Sequence, residues 1–269
     1  MIAVGFIVWQ TRQDSGSSGP VKTAPGIKTI WCVPEAEVAC RTADIAKVEI
    51  LTPAAIEKRF NAAGTATDLG TEAVVAPDYW VLRWKRLFTV SVPLAETAVV
   101  AVQKDGATKN CRGRLTCLVE LGPRFSMPSL TDSSAGLLTA ALALKAAAVP
   151  ASIDDTDPKT AAAIDAVKQT LQGQTSPEML NNLLTLPLLD AAVMTRAEFT
   201  SAKPAKAIAT AVEPAAVVTL RVGTFADTQT LDLRATLTAT LTANGWQPAT
   251  TQPGSPDFAY INKTYDRLR

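Results

Sequence analysis

The sequence contains no histidine, and this absence excludes whole classes of enzymes. Histidine is the commonest general base and the usual partner of a catalytic serine or cysteine, so Ser/His/Asp and Cys/His triads are excluded. Zinc sites that combine cysteine with histidine are excluded for the same reason. The four cysteines lack CxxC spacing, so an all-cysteine metal site is not expected. We therefore expect a protein that is not an enzyme and that binds no metal and no cofactor.

Charge and aromatic residues are also scarce. Charged residues make up 19% of the 269 residues and the net charge is +1, so no overall field attracts nucleic acid. Aromatic residues make up 6%, whereas the hydrophobic share of 47% suffices for a substantial core. This composition is typical of a globular protein, and we expect a monomer with no nucleic-acid partner.

The N-terminus begins with an uncharged apolar run, Met1–Gln10, which is too short to cross a bilayer because a span needs roughly 20 residues. A Ser/Gly/Pro-rich segment, Gln13–Gly26, follows and is typical of a flexible linker. We interpret residues 1–27 as a partial membrane anchor or signal followed by a linker. This layout predicts an extracytoplasmic, cell-surface protein of a bacterial envelope. The alternative is an N-terminal segment that is flexible or packs on the core.

The cysteines form two local pairs, Cys32 with Cys40 and Cys111 with Cys117. Each pair can close a small loop if its Cα atoms come within about 7 Å. In an exported protein an even number of cysteines indicates disulfides, whereas in a cytosolic protein the same residues act as buried apolar filler. Because the N-terminal pattern indicates export, we predict both disulfides.

From Lys28 onward, short apolar runs of strand length alternate with helical patterns. Strands are predicted at 28–33, 47–53, 73–77, 96–104, 191–195 and 217–222, with a further strand around 118–119. Helices are predicted at 34–44, 54–64 and 137–149, after 157 and 176, and around 233–244. Strands separated by helices are typical of βαβ units. The sequence therefore predicts an α/β fold with a largely parallel sheet.

The segment Ser126–Gly136, SMPSLTDSSAG, precedes a strongly apolar helix. The first N–H groups of a helix lack internal partners, so they can bind an anion together with nearby hydroxyls. The hydroxyls in this segment belong to Ser129, Thr131, Ser133 and Ser134. Serine- and aspartate-rich turns also precede many helices simply as caps, so helix capping is the alternative interpretation.

The run LGPRFSMPSLTDSSAGLLTAALAL resembles a loop of bacterial extracellular solute-binding proteins of the type II periplasmic fold. In that family a strand leads into D-P-x-x-S-x-x-G and an apolar helix. Here Pro128, Ser133 or Ser134, and Gly136 match, while Ser126 to Pro128 replaces the Asp-Pro start. Two further segments, APDYWVLRW and DAAVMTRAEF, resemble family segments, the second of which presents a threonine and an acidic residue to the cleft. The composition is closest to members associated with von Willebrand factor type A domains.

The resemblance implies two lobes, each a mostly parallel sheet flanked by helices. Lobe one is expected at 28–91 plus 205–269, and lobe two at 92–204. A small solute, with an anion among the candidates, is expected to bind between the lobes for transport or sensing. The implied ligand contacts are Asp78, Tyr79, Trp80, Ser129, Thr131, Ser133, Ser134 and Thr195.

Several of these contacts have structural alternatives. Asp78 can form a turn after Pro77, the two aromatic residues can belong to the core or its rim, and Thr195 can cap a turn. The sequence also departs from the family, because its first helix is short and no Gly/Ser-rich binding turn follows the first strand. These departures favour an alternative function. It is a membrane-tethered ectodomain that keeps the fold, binds an envelope or membrane protein and has lost small-molecule binding.

Overall fold

A computed structural model describes residues 26–63, 69–107, 109–150, 152–153, 156–171, 173–225, 230–250 and 257–269 of the chain. The predicted anchor and linker lie outside these residues, apart from the last two positions of the linker. In the described part of the chain, no helix is both long enough and apolar enough to cross a membrane.

The described residues contain nine strands, which form one curled, mixed sheet. The strands are β1 Thr29–Cys32, β2 Lys47–Ile50, β3 Glu72–Pro77, β4 Val90–Lys104, β5 Phe125–Ser126, β6 Ala191–Thr195, β7 Ala207–Ala211, β8 Val217–Thr224 and β9 Gln247–Pro248. The main order across the sheet is β2-β1-β3-β8-β4-β6-β5, with β7 and β9 also paired to β4.

Ten α-helices flank the sheet in the same described ranges. They are α1 Glu37–Ala43, α2 Pro53–Ala63, α3 Asp78–Arg83, α4 Leu115–Val119, α5 Ser134–Ala146, α6 Pro158–Thr170, α7 Ser176–Thr185, α8 Arg196–Ala202, α9 Thr230–Ala243 and α10 Phe258–Leu268. Proline and polar caps explain several of the helix starts. Asp157 caps α6 by accepting from the Thr160 backbone N–H, and Pro158 follows at the first helical position.

The α/β fold class is confirmed, but strand direction differs between the two halves of the sheet. Strands β1, β2 and β3 are parallel, as predicted for units connected by helices. In the second half, β6 and β7 both run antiparallel to β4, and only the β5–β6 pair is parallel. The reason is the path of β4, which lies between β6 and β7 and runs in the opposite direction. The second half is therefore mostly antiparallel rather than mostly parallel.

Strand β4 is the longest element of the sheet, with 15 residues. Its first part, Val90–Ala98, pairs with β8, and its second part, Val99–Lys104, pairs with β6 and β7. The β8 register shifts between Pro93 and Ala95, where proline cannot donate a ladder hydrogen bond. One continuous strand therefore belongs to both halves of the sheet.

Two local predictions differ from the structure. The strand predicted around 118–119 is part of helix α4, in which Leu118 is buried as a helical residue. The first predicted helix splits into a 3-10 turn, Pro34–Ala36, and α1, Glu37–Ala43. A short apolar run fits a buried helix as well as a strand, which explains the first error.

Aromatic side chains form the centre of the core in the first half. The Phe60 ring lies 5.1 Å from that of Trp84 and 5.8 Å from that of Phe225, both edge-on. Trp84 itself stacks on Trp80 at 5.5 Å. A smaller cluster in the second half packs α7 against β4 and β6 through Met179, Leu183 and Met194. Aromatic residues are few, and several of them are gathered in the core of the first half.

Both predicted disulfides are present. Cys32 at the end of β1 joins Cys40 in α1 with a Cα–Cα distance of 6.7 Å. Cys111 joins Cys117 in α4 with a Cα–Cα distance of 5.5 Å. The first bridge encloses the 3-10 turn and holds it to the carboxyl end of β1.

The two bridges close loops of similar length, with sequence separations of 8 and 6. Loop-closure entropy then predicts that each contributes about 2–3 kcal/mol to the free energy of unfolding. We expect Cys32→Ala/Cys40→Ala and Cys111→Ala/Cys117→Ala to lose similar stability in urea titrations of the oxidised protein. The losses should add in the quadruple variant, and a wild type that dithiothreitol leaves unchanged in stability would contradict the prediction.

Gly136 in the first turn of α5 lies against the preceding loop. A Cβ atom at this position would overlap the carbonyl oxygen of Pro128. In an open helix, Gly→Ala stabilises by roughly 0.5–1 kcal/mol, because glycine loses more backbone freedom on folding. Here we expect Gly136→Ala to destabilise by about 1–3 kcal/mol because the loop must move. An increase in the urea midpoint would show that the loop does not pack against the helix.

Candidate functional site

Four chain segments that follow the carboxyl ends of strands meet at one polar cluster. They are the 3-10 turn after β1, helix α3 after β3, helix α5 after the loop from β5, and helix α8 after β6. In open α/β sheets, ligands bind outside the carboxyl ends of strands, where helix N-termini also converge. We call the side chains of Glu35, Tyr79, Ser134, Ser176, Thr195 and Glu198 the cleft cluster.

Glu35 connects the two halves of the molecule at this cluster. It lies in the 3-10 turn that Pro34 opens, inside the loop closed by Cys32–Cys40. Its carboxylate Oε1 accepts a hydrogen bond from the backbone N–H of Ser134 at 2.6 Å. Its second oxygen, Oε2, is buried and has no hydrogen-bond partner, although the residue as a whole is half-buried. The protein's own carboxylate therefore occupies the anion position at the start of α5.

The hydroxyls before α5 divide into two groups. Ser129 and Thr131 bond to each other at 2.8 Å, and the Thr131 hydroxyl donates to Asp132 at 3.1 Å. Ser133 is the N-cap of α5 and accepts from the Gly136 N–H at 3.4 Å. Ser134 is fully buried, and its hydroxyl lies beside the Glu35 carboxylate and the Tyr79 phenol without a hydrogen bond of good geometry. Within this loop, the Ser134 hydroxyl is thus the group whose bonding capacity is unused.

Helix α8 contributes the second carboxylate through a capping box. The backbone N–H and the hydroxyl of Thr195 both donate to Glu198 Oε2 at 2.8 Å, and the Glu198 N–H donates to the Thr195 hydroxyl at 3.2 Å. The Ser176 hydroxyl at the start of α7 also bonds to Glu198. Thr195 therefore serves as the helix cap, and it also fixes the position of Glu198.

The two carboxylates of the cleft cluster are hard to ionise. Burial raises the pKa of Glu35, the negative charge of Glu198 raises it further, and the Ser134 N–H lowers it, with a net result of about 7. Burial also raises the pKa of Glu198 above its usual range, while its bonds to Thr195 and Ser176 lower it. Buried carboxylates with a like charge nearby favour a bound proton or an added cation.

Tyr79 completes the cluster from the side of α3. The residue is 8% exposed, and its phenolic oxygen has no hydrogen-bond partner of acceptable geometry. Burial raises the pKa of this phenol above its usual range, and the charge of Glu35 raises it as well, while the neighbouring Ser134 hydroxyl lowers it. Tyr79, Glu35 and Ser134 are therefore immediate neighbours.

The other predicted contacts in this region have structural partners. Asp78 forms an ion pair with Arg221 at 3.1 Å, and Arg221 also donates to the side chain and the carbonyl of Ser91. Trp80 is 1% exposed and stacks between Trp84 and the edge of Tyr265. Trp80 matches its structural alternative as a core residue, whereas Asp78 begins helix α3 rather than forming a turn. The roles of both residues as ligand contacts remain predictions.

The structure thus gathers part of the predicted set. Tyr79, Ser134 and Thr195 reach the cleft cluster, with Ser133 adjacent in sequence. Sequence reasoning missed Glu35, whose only signal was an acidic residue after Pro34 at the end of an apolar strand. Two described cavities, of about 350 and 490 Å³, lie elsewhere, the first beside Gln103, Lys104 and Ile208 and the second beside Leu94 and Arg234.

Comparison with known proteins identifies the fold. No family model matches the chain, and no curated protein sequence matches it. A ferric binding protein from Campylobacter jejuni is 10% identical with a TM-score of 0.60, over 90% of this chain and 96% of that one. A periplasmic thiamin binding protein is 14% identical with a TM-score of 0.60, over the same shares. An ABC transporter structure from Clostridium perfringens is 12% identical with a TM-score of 0.58, over 89% and 96%. The chain has the two-lobe fold of type II periplasmic binding proteins.

Proposed function

We propose that the protein is an extracytoplasmic solute-binding module that holds a small solute at the cleft cluster. The observation that carries this proposal is the presence of three buried polar atoms that make no hydrogen bond of good geometry, on segments that meet there. They are Glu35 Oε2, Tyr79 Oη and Ser134 Oγ. A buried polar group without a partner costs roughly 1–3 kcal/mol. A solute with matching hydrogen-bonding groups would satisfy these atoms and remove that cost.

The similar structures support solute capture as the general activity. Their titles name a ferric binding protein, a thiamin binding protein and a spermidine/putrescine substrate-binding protein. Two disulfides are typical of a protein that folds outside the cytoplasm, which supports an extracytoplasmic location. We propose further that the module delivers the solute to a membrane transporter or a sensor and that residues 1–27 tether it to the membrane.

The proposed capture mechanism is closure of two lobes around the solute. The lobes, 28–91 with 205–269 and 92–204, would turn about β4, which belongs to both halves of the sheet. Glu35 and Tyr79 come from lobe one, whereas Ser134 and Glu198 come from lobe two. Opening would break the Glu35–Ser134 hydrogen bond, and a solute would bind between the separated groups.

One observation favours the second candidate, an interaction ectodomain without small-molecule binding. Glu35 fills the anion position at the start of α5, so the two halves already bond to each other in the absence of a solute. If this contact is permanent, the protein itself closes the cleft and no solute can enter. The expected ligand is then a protein partner at the membrane.

The unpartnered phenol of Tyr79 gives the first test, because its removal should cost no hydrogen bond. Tyr79→Phe should leave the stability of the solute-free protein unchanged or raised, since a buried unpartnered hydroxyl is removed. Tyr260→Phe is the matched control, since its hydroxyl donates to the Val149 carbonyl at 3.1 Å. The control should lose about 1 kcal/mol in urea titrations.

The same pair of variants tests solute binding in a thermal-shift screen of oxyanions, sugars, amino acids, amines and metal ions. A solute at 100 times its Kd should stabilise the wild type by about 2.7 kcal/mol, which corresponds to a Tm rise of several degrees. Tyr79→Phe should reduce that rise and Tyr260→Phe should preserve it. A screen in which no compound raises the wild-type Tm would reject solute binding and favour the interaction ectodomain.

A further inference from the structure

The cleft cluster has acceptors and negative charge but lacks a cation. We propose that the group of the solute bound here is a positively charged ammonium, held by the oxygens of Glu35, Tyr79 and Ser134 beside the carboxylate of Glu198. This inference rests on the proposed solute-binding function and names the chemical class of its solute. It replaces the anion that the loop sequence indicated.

The first step concerns the anion position. An anionic solute group would bind the free N–H groups at the start of α5, but the Ser134 N–H already donates to Glu35 at 2.6 Å. Such a group would have to displace Glu35 and would then lie beside a buried carboxylate. Like charges within the same buried site repel strongly, so the cluster disfavours an anion.

The second step is a comparison with another buried carboxylate of the same chain. Asp190 is 1% exposed, and Arg124 binds it through Nε at 2.8 Å and through its second nitrogen at 3.2 Å. Lys104 lies 3.8 Å from the same carboxylate. Here the protein neutralises a buried acid with its own bases, as buried charges generally require.

Glu35 and Glu198 differ from Asp190 in this respect. The titratable groups that face Glu35 are Glu198 from α8 and Tyr79 from α3, with the Ser134 N–H and hydroxyl from α5. The groups that face Glu198 are Thr195 and Ser176, and no group in either set carries a positive charge. Arg221 binds Asp78, the residue before Tyr79, so its charge is already paired with another carboxylate. The positive charge that would balance the two carboxylates is therefore supplied by a proton or by the solute.

The third step distinguishes an ammonium from a metal ion. The described residues contain no group of three or more His, Cys, Asp or Glu side chains that would hold a metal ion. A primary ammonium carries three N–H donors and no acceptor. The cluster offers it Glu35 Oε2, the Tyr79 oxygen and the Ser134 oxygen, all buried and unpartnered. The three N–H donors of the ammonium therefore match the three oxygen acceptors of the cluster.

The cation test compares matched probes at equal ionic strength, together with a panel of other amines. 1,4-Diaminobutane carries ammonium groups, 1,4-butanediol has the same chain with neutral hydroxyls, and succinate has it with carboxylates. We expect an amine of the panel to raise the Tm, with no rise from the diol or succinate. Glu35→Gln should weaken binding about tenfold because it removes the charge that contacts the ammonium. Glu198→Gln should weaken binding less, because its charge acts on the ammonium without a direct contact.

Glu178→Gln is the control for these variants. Glu178 accepts a hydrogen bond from the Thr175 backbone N–H in the exposed capping box of α7, which is of the same kind as that of Glu198. Removal of the Glu178 charge should therefore leave binding unchanged. If a neutral or anionic compound raises the Tm in a Tyr79-dependent manner while no amine does, the ammonium proposal is wrong and solute binding stands. If no compound of any class does so, both proposals are wrong.

The pH dependence gives a second readout that requires no solute. The pKa of Glu35 is raised from 4.5 to about 7, and that of Glu198 is raised as well, so the folded protein binds more protons than the unfolded chain between these values. The contribution of these groups to stability is complete below the lower value and lost as the pH rises through the higher one. We expect the wild-type Tm to fall over this range and the Glu35→Gln profile to be flatter.

An ammonium would replace the proton, so its affinity should rise by up to about tenfold per pH unit below the pKa of Glu35 and level off above it. Isothermal titration with the best amine at about pH 5.5 and about pH 8, in two buffers of different ionisation enthalpy, measures the proton released. We expect amine binding to release a proton from the wild type at the lower pH, and we expect no proton release from Glu35→Gln. Amine binding that is independent of pH and of Glu35 would overturn the proposal.

Discussion

The pairing of strand β4 with both halves of the sheet is the constraint on which the candidate site depends. Its backbone pairs with β8 over Val90–Ala98 and with β6 over Val99–Gln103, so the two halves share one strand. The carboxyl ends of β3 and β6 are positioned relative to each other through this strand. Tyr79 and Glu198, which follow those ends, can therefore lie in one cluster around Glu35 although they are far apart in sequence.

Arg221 reinforces this arrangement near the start of α3. Its guanidinium binds Asp78 at 3.1 Å and Ser91 on β4 at 3.0 Å, and it lies on β8 opposite Pro93. Exposed ion pairs contribute little to stability, but this one is largely shielded and adds hydrogen bonds to a third strand. The first residue of α3 is thereby tied to the shared strand, and the position of the adjacent Tyr79 follows from it.

Local sequence signals predicted the fold class and part of the site, because strand–helix alternation and helix caps are encoded within a few residues. The loop before α5, the capping role of Thr195 and both disulfides belong to this category. The partner of Glu35 is Ser134, 99 residues away, and no local pattern reports such a contact. Strand β5 has two residues, which is too short for a periodic signal. Direction within the second half depends on where β4 inserts, which is a tertiary property.

The position of Glu35 is best explained as preorganisation rather than as a contribution to folding. A carboxylate without a cationic partner opposes burial, so an apolar residue at this position would serve stability better. Yet Pro34 fixes the backbone before it, and the Cys32–Cys40 bridge closes the turn around it, so Glu35 is held by covalent constraints on both sides. Groups that are held in place before a solute arrives lose little entropy when they bind it. A buried carboxylate without a cationic partner departs from the usual rules of protein stability. Such departures, when the surrounding structure holds them in place, are characteristic of binding sites.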